Sequence, residues 1–576
     1  MNKKILALLL ALAMLTAMLA GCASDKEEAV EEAPAVEESA PVEEAPAEDA
    51  APEEEAPVEE EKVKVDGATA DYDPNYVPQE VSLPITEEPT NYTIWMPVAP
   101  FIAEFIDDMN EEVTVIKEMA NRTNMHFEWT TCHADVETEK FNLMIVAGEY
   151  ADVIGTMSHY STGLEGAIND DVIIDLTDLI HEYCPNYWNA INRDEATFRQ
   201  LVTDSGYMGA FCQLLKEAGT ENQGYVIRQD WLDELGLEMP GTITEMHDTM
   251  VAFKDAYDAY MYVGTAGYDE YVGKALNCGT GIFMAKDYEL VCTYDQPEFK
   301  EYTKIMAQWY ADGILNDDFY NDTNIGACRE DMANDLCGYV GASASGMSDI
   351  YDYCTVDGSS LHVTAVPQIT DDAGSEIKVG TAQSLIKNAT VWSISTQCDE
   401  EKYEPLCRMV DYIFTEEGDL LYNWGVEGDA FVFDEEGNPQ WTERITNDPA
   451  GRPFIFTSSF YAGGVGSVYF PGVVDMAKTF YEFTEDEWEA MEIFKTSYVK
   501  DGWHIPTWAT MTIDEQEEYA NYQSEMETYV ESMTLQFVCG ELDIDANWDS
   551  FIETIHGMNY DRMYEIQNEV YQRAIA

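Results

Sequence analysis

Basic residues are scarce in this sequence of 576 residues. Only 29 Lys and Arg stand against 112 Asp and Glu, so the formal net charge is −83. Nucleic-acid binders neutralise phosphates with clustered basic side chains, and this chain has too few of them for that function. Anionic lipid headgroups would also repel it, which excludes broad docking on a membrane surface. We therefore expect no nucleic-acid partner.

Motifs of the common cofactor and metal enzymes are also absent. The sequence has no H-E-x-x-H or C-x-x-C spacing, no Walker loop, no G-x-G-x-x-G fingerprint and no G-x-S-x-G turn. We accordingly predict no cofactor, no metal site and no catalytic residue. The apolar content of 46% and the aromatic content of 12% are nevertheless too high for a disordered chain, and the length allows several lobes with their own cores.

Long apolar runs are absent after the first 21 residues. Lys3 and Lys4 precede an apolar run over residues 5–20, which is shorter than the roughly 20 residues of a membrane-spanning helix but suits a signal peptide. The run ends in the letters L-A-G-C at Cys22, which resemble the bacterial lipobox. The resemblance implies a lipoprotein signal peptide over 1–21, lipid attachment at Cys22 and anchoring at the outer face of the cell membrane. An ordinary signal peptide followed by a chance Cys is the alternative.

The next segment, residues 22–89, is dominated by Glu, Ala, Pro and Val. The unit Glu-Glu-Ala-Pro recurs at 31–34, 43–46 and 54–57. Proline opposes helix formation and like charges repel each other, so such a segment cannot bury a core. We predict a disordered acidic tether between the lipid anchor and the folded part.

Strands and helices alternate from about residue 90 onward. Between residues 92 and 155 the hydrophobic pattern predicts strand, helix, strand, helix and strand, which is typical of an α/β fold with a parallel sheet. Ligands of such sheets bind beyond the carboxyl ends of the strands, here at Trp95-Met96-Pro97 and Gly155-Thr156-Met157. Further along, the pattern predicts a long helix over 400–415 that ends at Glu416-Glu417-Gly418, and a mostly helical chain after residue 516.

Five blocks of the sequence resemble, in order, those of carbohydrate-type extracellular solute-binding proteins of bacterial ABC importers. The string R-Q-D-W-L-D-E-L-G at 228–236 is similar to the R-x-D-W-L-x-x-L-G of the lipoprotein branch of that family. The other blocks are A-D-V-I at 151–154, W-Y-A-D-G-I-L-N-D-D-F at 309–319, F-T-E-E-G at 414–418 and W-G-V-E-G at 424–428. Ala151 departs from the usual Pro. The chain is identified as a member of family 1 of these proteins.

The resemblance implies an α/β fold of the two-lobed, periplasmic-binding-protein-like type II, with a hinge and an interlobe cleft. The first lobe would hold 90–215, with 363–420 returning to it. The second lobe would hold 225–362, with 430–576 mostly completing it. Such lobes close on their ligand, and the closed form docks on ABC transporter permease subunits. We expect the protein to be a monomer.

Sugar recognition needs flat apolar rings and planar polar groups, and the sequence offers candidates for both. The aromatic candidates include Trp231, for which core packing is the favoured reading because its block begins a helix. Arg228 and Asp230 either bind ligand or pair with each other at a hinge. The full set of candidate ligand-binding residues is Trp95, Tyr225, Arg228, Asp230, Trp231, Ser343, Trp392, Trp424 and Glu427, with Ser345, Tyr461 and Tyr469 as further candidates.

These observations predict a lipid-anchored binding protein that captures a carbohydrate and delivers it to an ABC permease. An acidic cleft would repel uronates and other anionic sugars, so a neutral mono- or oligosaccharide is favoured. Peptides are the alternative ligand class. A secreted glycoside hydrolase is a further alternative, since it needs only two suitably spaced carboxylates, and so is a sensor or adhesion lipoprotein.

Overall fold

The computed structural model divides the chain into two units, 1–65 and 66–576. Every residue described below belongs to the second unit. The predictions for the signal peptide, for Cys22 and for Tyr469 lie outside the described residues. The described residues are 70, 72–73, 77–99, 106–217, 223–264, 268–316, 319–320, 325–354, 359–380, 384–449, 451–452, 454–462, 470–479, 481, 483–495 and 499–575.

Runs rich in branched and aromatic residues form the strands of the described chain. The first of them has the sequence T-N-Y-T-I-W-M-P-V, and its second half is fully buried. The strands are β1 (Thr90–Val98), β2 (Met125–His133), β3 (Val153–Gly155), β4 (Phe211–Leu215), β5 (Gln223–Arg228), β6 (Tyr260–Met261), β7 (Phe283–Lys286), β8 (Glu289–Cys292), β9 (Cys337–Ser343), β10 (Val363–Ala365), β11 (Ile386–Ile394), β12 (Phe431–Phe433), β13 (Pro439–Trp441) and β14 (Gly472–Val474).

Many helices begin at a side chain that caps the free backbone N–H groups of the first turn. Thr512 is an example, because its hydroxyl accepts from the Glu515 backbone while the Glu515 carboxylate accepts from the Thr512 backbone. The helices are α1 (Met109–Glu112), α2 (Thr114–Thr123), α3 (Glu137–Ala147), α4 (Gly163–Asn169), α5 (Thr177–Tyr183), α6 (Pro185–Ile191), α7 (Glu195–Arg199), α8 (Gln229–Leu235), α9 (Ile243–Tyr257), α10 (Glu270–Ala275), α11 (Pro297–Ala311), α12 (Ile325–Ala333), α13 (Gly346–Tyr353), α14 (Tyr403–Ile413), α15 (Glu416–Trp424), α16 (Glu443–Thr446), α17 (Phe454–Tyr461), α18 (Met476–Thr479), α19 (Glu485–Phe494), α20 (Ile513–Val538), α21 (Ile544–Gly557) and α22 (Tyr560–Ile575).

The first lobe is built on a six-stranded sheet in the order β14-β4-β11-β3-β1-β2. Strand β1 pairs in parallel with both β2 and β3, as the β-α-β pattern predicts, and β11 runs antiparallel to its neighbours. Helices such as α2, α5 and α14 contribute buried side chains to the core on this sheet. The predicted helix over 141–147 is α3, and it ends at Gly148, which adopts the left-handed conformation with φ 64°.

The second lobe is built on a four-stranded sheet in the order β10-β5-β9-β6. Its core includes side chains from α9, α11 and the long C-terminal helices α20, α21 and α22. The chain passes between the two sheets after β4, after β10 and after β14. The third passage leads to α19, where the Phe494 ring packs directly over Gly224 of β5.

The structure differs from the predicted lobe boundaries at two strands. Strand β10 begins at Val363 and pairs with β5 in the second sheet, although the prediction assigns 363–420 to the first lobe. Strand β14 pairs with β4 in the first sheet, although 430–576 was predicted mostly for the second lobe. Neither strand is longer than three residues, so its pairing depends on tertiary contacts that no local pattern reports.

The predicted tether also extends too far toward the folded part. Val81, Leu83 and Ile85 pack against the core of the first lobe. The backbone N–H of Gln79 donates to Asn186 Oδ1 at 3.0 Å, and that of Ile85 donates to the Thr123 carbonyl at 3.1 Å. Apolar residues at alternate positions give this stretch a face to bury, which the Glu- and Pro-rich repeats before it do not have.

The predicted helix end at Glu416-Glu417-Gly418 is instead the start of another helix. Thr415 caps α15 by accepting from the Gly418 backbone N–H at 3.1 Å. A Cβ at Gly418 would overlap the backbone carbonyl of Tyr412, because α14 and α15 meet there at close range. Glycine in this family block therefore permits a tight helix-to-helix turn and does not stop a helix.

Candidate functional site

Three adjoining cavities form a continuous trough, called the cleft below. The largest, of about 620 Å³, has walls from both lobes: 162–165 and 200–204 from the first, and 281–283 and α20 from the second. A cavity of about 470 Å³ lies in the second lobe beside β5 and α10. A third, of about 220 Å³, shares Phe283 with the largest and Tyr268 with the second, and so connects them.

Tyrosine rings dominate the wall of the 470 Å³ cavity. Tyr225 stacks on Tyr339 with 4.7 Å between ring centroids and 7° between planes, and Tyr271 meets Tyr225 edge-on at 4.8 Å. Tyr225, Tyr271 and Tyr268 line the cavity, whereas Tyr339 is buried behind them. We call Tyr225, Tyr268, Tyr271 and Tyr339 the tyrosine wall. It presents flat carbon-rich rings to the cavity, while the Tyr225 hydroxyl accepts from the Glu270 backbone N–H at 3.4 Å and the Tyr268 hydroxyl donates to the Cys278 carbonyl at 3.0 Å.

One ion pair lies on the same wall. Lys274 Nζ is 2.6 Å from Glu270 Oε1, one turn away on α10, and the Lys274 side chain is only 10% exposed. Asp269 precedes helix α10 and caps its first turn, because its side chain accepts from the Val272 backbone N–H at 2.9 Å. The wall therefore carries a compensated cation and anion beside the aromatic rings.

The largest cavity is acidic. Its charged lining residues are Glu165, Asp204 and Glu527, and no Lys or Arg stands among the described residues that line it. Glu165 accepts from Ser205 Oγ at 2.6 Å, and Asp204 accepts from Thr510 Oγ1 at 3.0 Å. Burial raises the pKa of Asp204 above its ordinary value. Four glutamine amides complete the polar surface, at positions 200, 516, 523 and 567.

The loop after β3 leads into this cavity from the first lobe. Thr156, the residue directly after the strand, has φ 59° and ψ 85°, a conformation that is strained for a β-branched residue. Its hydroxyl donates to Glu137 Oε1 at 3.1 Å, and the same oxygen lies 2.9 Å from His159 Nε2. The sheet rule for ligand position predicts Thr156 at the binding edge.

The small connecting cavity is bounded by Trp503 and His504. Trp503 is 5% exposed, donates from Nε1 to Asp287 Oδ1 at 2.9 Å, and lies 4.3 Å from the Lys378 ammonium across its ring. Burial lowers the pKa of His504, so its imidazole is neutral at physiological pH. This segment joins α19 to α20 and brings an aromatic ring and an imidazole to the cleft.

Arg228, Asp230 and Trp231 are packed together in the second lobe. Arg228 Nε and Nη2 donate to the two carboxylate oxygens of Asp230 at 2.8 and 2.7 Å, and Nη1 donates to Asp335 Oδ1 at 2.6 Å. The guanidinium lies 4.1 Å from the Trp231 ring centroid. Trp231 in turn stacks on Tyr257 at 4.2 Å. Of the two alternatives for Arg228 and Asp230, the structure shows mutual pairing.

Two further tryptophan candidates lie in the core of the first lobe. Trp95 is 6% exposed and meets Phe141 edge-on at 5.8 Å. Trp392 is 1% exposed and packs against Phe127 and Phe470. Neither lines the three cavities.

The remaining candidates lie at turns. Trp424 is half-buried and packs against Trp441 at 4.7 Å, while Glu427 is exposed. Tyr461 accepts from Arg444 Nε at 2.7 Å. Ser343 accepts from the Gly346 backbone N–H at 3.0 Å, and its oxygen is 3.1 Å from that of Ser345. Of all the named candidates within the described residues, only Tyr225 lines one of the three cavities.

Sequence reasoning missed most of the tyrosine wall and the connecting segment. The stretch G-Y-D-E-Y-V-G-K contains two aromatic and three charged residues, and it includes Tyr268, Glu270, Tyr271 and Lys274. Trp503 precedes the run H-I-P. An aromatic residue beside a chain reversal was the available signal for contact with the cleft, and it had indicated only other tryptophans.

The described residues contain no group of three or more His, Cys, Asp or Glu side chains that could hold a metal ion. No described helix combines the length and apolar character needed to cross a bilayer.

Comparison with known proteins places the chain beside transporter binding proteins. No family model matches it. The fructooligosaccharide ABC transporter substrate-binding protein FusA of Streptococcus pneumoniae serotype 4 is 20% identical over 533 residues, which cover 87% of this chain and 93% of that protein. The chain is a homologue of ABC transporter substrate-binding proteins. The family resemblance predicted from the sequence is thereby confirmed.

One further relative and two solved structures are also similar to this chain. Lipoprotein LipO of Bacillus subtilis (strain 168) is 21% identical over 221 residues, 35% of this chain and 41% of that protein. The S. pneumoniae FusA structure with kestose matches with TM-score 0.64 and 18% identity, over 84% of this chain and 99% of that one. Alginate-binding protein AlgQ2 matches with TM-score 0.63 and 20% identity, over 86% and 100%. The predicted two-lobed, periplasmic-binding-protein-like fold is confirmed, and FusA and AlgQ2 are binding proteins rather than enzymes.

Proposed function

We propose that this protein is a lipid-anchored extracellular substrate-binding protein that captures a carbohydrate in the cleft by hinge closure and delivers it to an ABC transporter permease. The tyrosine wall is the observation that carries the proposal. Tyr225, Tyr268 and Tyr271 line one cavity with flat rings, and the neighbouring Glu270 and Lys274 supply polar groups, a combination that matches the mixed surface of a sugar. FusA, a homologue over most of the chain, is a fructooligosaccharide-binding protein.

The charge of the cleft supports a neutral sugar. Glu165, Asp204 and Glu527 line the largest cavity without a described Lys or Arg, and Lys274 is already paired with Glu270. Asp204 has one basic neighbour, Arg573 Nη2 at 4.0 Å, whereas Glu165 and Glu527 have no ion-pair partner among the described residues. These two carboxylates would repel an anionic sugar, which costs free energy in proportion to the charge of that sugar. A neutral mono- or oligosaccharide avoids this repulsion. The connected cavities leave room for more than one sugar unit.

A thermal-shift screen of the purified protein tests the ligand class. The panel holds neutral oligosaccharides including kestose, uronic-acid oligomers, and short peptides. A ligand that binds only the folded state stabilises it by about 2.7 kcal/mol at 100 times its dissociation constant, which raises the melting temperature. We expect a shift with a neutral sugar. A shift with uronates alone would reject the charge argument, a shift with peptides alone would favour the peptide alternative, and released sugar in the wells would favour a hydrolase.

The lipid anchor is a separate part of the proposal. It is supported by the lipobox-like sequence ending at Cys22 and by the lipoprotein homologue LipO. Expression of the full chain and of a Cys22→Ala variant in a bacterial host, followed by membrane fractionation, tests it. We expect the parent protein in the membrane fraction and the variant released into the medium. Equal distribution of both would reject the anchor without bearing on ligand capture.

Transport partnership is tested through growth on the sugar that the screen identifies. Cells that carry the gene for this protein and the permease are expected to grow on that sugar. Deletion of either gene is expected to abolish growth. Growth without this protein would reject its role in delivery to the permease.

A further inference from the structure

A buried carboxylate stands directly behind the tyrosine wall. Asp269 is 0% exposed and precedes α10, whose residues Glu270, Tyr271 and Lys274 line the cleft. Its Oδ1 caps α10 by accepting from the Val272 N–H at 2.9 Å. Its Oδ2 has no hydrogen-bond partner of ordinary geometry among the described residues. An unsatisfied oxygen in such a site is costly and is relieved when a proton binds there.

Tyrosines from three other elements face this carboxylate. The Tyr302 hydroxyl of α11 accepts from the Asp269 backbone N–H at 2.8 Å. The Tyr339 hydroxyl of β9 interacts with the carboxylate itself. The Tyr225 hydroxyl of β5 accepts from the Glu270 backbone N–H at 3.4 Å. The charge of Asp269 contributes to raising the pKa of Tyr225, after burial as the larger cause.

The only charged groups of α10 in this region are Glu270 and its partner Lys274. Both line the cleft, where Glu270 is exposed and Lys274 is buried. Tyr268, which precedes Asp269, is also affected by the charge of that carboxylate, and its hydroxyl donates to the Cys278 carbonyl at 3.0 Å. Asp269 is therefore surrounded mainly by neutral phenol groups.

We propose that Asp269 is a positioning residue whose protonation sets the hydrogen-bond polarity of the tyrosine wall, and through it the affinity of the cleft for its ligand. The part concerning affinity rests on the proposed function. Ionised Asp269 can only accept, so a neighbouring phenol proton turns toward it and is lost to the cleft. When a proton from solvent binds at Oδ2, the acid donates to a phenol oxygen, and the phenol proton turns outward.

Burial and the nearby Glu270 carboxylate support this titration. Burial is the larger cause, and together they raise the pKa of Asp269 to about 7. Both forms are therefore populated at physiological pH. A ligand that accepts a hydrogen bond from the outward-turned phenol favours the neutral form of Asp269, so binding is coupled to proton uptake. Affinity is expected to fall as pH rises from 6 to 8.

Infrared difference spectra of the unliganded protein between pH 6 and pH 8 test the titration without any ligand. We expect the wild type to lose a protonated-carboxyl band on raising the pH, and Asp269→Asn to lack that change, since Asn keeps the helix cap but cannot ionise. A pH-dependent tyrosine band should disappear in Tyr225→Phe. Identical wild-type and Asp269→Asn spectra, or a tyrosine band unaffected by both substitutions, would overturn the inference.

Calorimetric binding of kestose at the same two pH values tests the coupling. We expect wild-type affinity to be about three- to tenfold higher at pH 6, the worth of one hydrogen bond, and Asp269→Asn to keep the pH 6 affinity at both values. A purely structural role for Asp269 would lower affinity equally at both pH values and would overturn the inference. Lack of kestose binding at either pH would count against the choice of neutral sugar, while the spectra still decide the role of Asp269.

Discussion

Tyr225 and Tyr339 lie with their rings parallel, 4.7 Å apart between centroids and 7° apart in orientation. Tyr225 is the third residue of β5, and Tyr339 is the third residue of the neighbouring strand β9. In the antiparallel pair β5–β9, Tyr225 is opposite Gly341 and Tyr339 is opposite Ile227. The two tyrosines are therefore diagonal neighbours, and strand register fixes their stack. One ring is thereby held rigid against a buried support while it lines the cleft.

Replacement of Tyr225 by Leu is expected to weaken sugar binding by about 2 kcal/mol, or roughly thirtyfold, because Leu fills the volume but offers no flat face or hydroxyl. Calorimetry with the sugar found in the screen measures the change. Tyr225→Phe should retain most of the affinity that comes from stacking. Tyr353→Leu, at an exposed position of α13 outside the three cavities, is the matched control and should bind as the parent does.

Removal of the Arg228 guanidinium is expected to destabilise the protein without changing ligand affinity. Arg228 is 2% exposed and donates to Asp230, Asp335 and the Met332 carbonyl. The Asp230 side chain is only 9% exposed, so Arg228→Met leaves a buried carboxylate without its donor, whereas Asp335 is 46% exposed and can bind water. Breaking such a buried pair costs about 3–5 kcal/mol of the free energy of unfolding, measured by denaturant titration.

Arg408→Met provides the comparison for Arg228. Arg408 pairs with Glu404 across one turn at 2.8 Å on an exposed helix face, and its loss should cost about 0.5 kcal/mol or less. A large loss of affinity in Arg228→Met with unchanged stability would instead place this arginine in ligand recognition, which was the other alternative from the sequence.

The family and fold were predictable because they depend on local strings and periodicity. Strand β1, helix α3 with its Gly148 end and the parallel β1–β3 pairing all follow from patterns within a few residues. The tyrosine wall was not predictable in the same way. Tyr225, Tyr271 and Tyr339 lie on three different elements, and only the register of β5 against β9 and the packing of α10 bring their rings together.

Tryptophan was a poor guide to the cleft for a related physical reason. A large apolar ring gains most free energy from complete burial, and Trp95, Trp231 and Trp392 are each buried in a lobe core. The string around Trp231 that resembles the family block packs on the buried Arg228 guanidinium. Tyrosine can keep its hydroxyl at the edge of a cavity while its ring packs, which suits it better to a wall.

Gly425 and Gly428 in the W-G-V-E-G block are expected to respond differently to replacement by Ala. Both have positive φ, 79° and 80°. A Cβ at Gly425 would overlap the Tyr461 backbone carbonyl, whereas a Cβ at Gly428 meets nothing within 4 Å. Gly428→Ala should cost only the strain of the left-handed conformation, about 1–2 kcal/mol.

Gly425 combines φ 79° with ψ −142°, a conformation that is essentially restricted to glycine. Gly425→Ala adds a backbone clash to this strain and should cost more than about 3 kcal/mol in the free energy of unfolding. Chemical denaturation of both variants measures the difference. Equal costs would show that the close approach of Gly425 to Tyr461 is relieved by a small backbone shift, and that φ alone requires glycine here.

Acid should loosen the attachment of the C-terminal helix α22 to α20. Arg573 donates to both carboxylate oxygens of Glu515 at 2.8 and 2.7 Å, and the Thr512 backbone N–H adds a third hydrogen bond at 2.9 Å. The hydrogen bonds from Arg573 are the main cause that lowers the pKa of Glu515 to about 2. Stability from this pair is therefore complete above the ordinary Glu pKa of 4.5 and is lost as the pH falls from there toward 2.

Glu515→Gln should remove this part of the pH dependence. Because Arg573 is 41% exposed, solvent screens the pair, and we expect a loss of about 1–2 kcal/mol at pH 7 that shrinks toward zero by pH 2. Glu525→Gln, at an exposed position on the same helix, removes an equal charge without an Arg partner in the described structure and serves as the control. Hydrogen exchange of α22 amides at pH 7 and pH 3 locates the effect. If protection in α22 falls equally with acid in the parent and in Glu515→Gln, the helix is held by its buried face of Met563, Ile566 and Val570 and not by this ion pair.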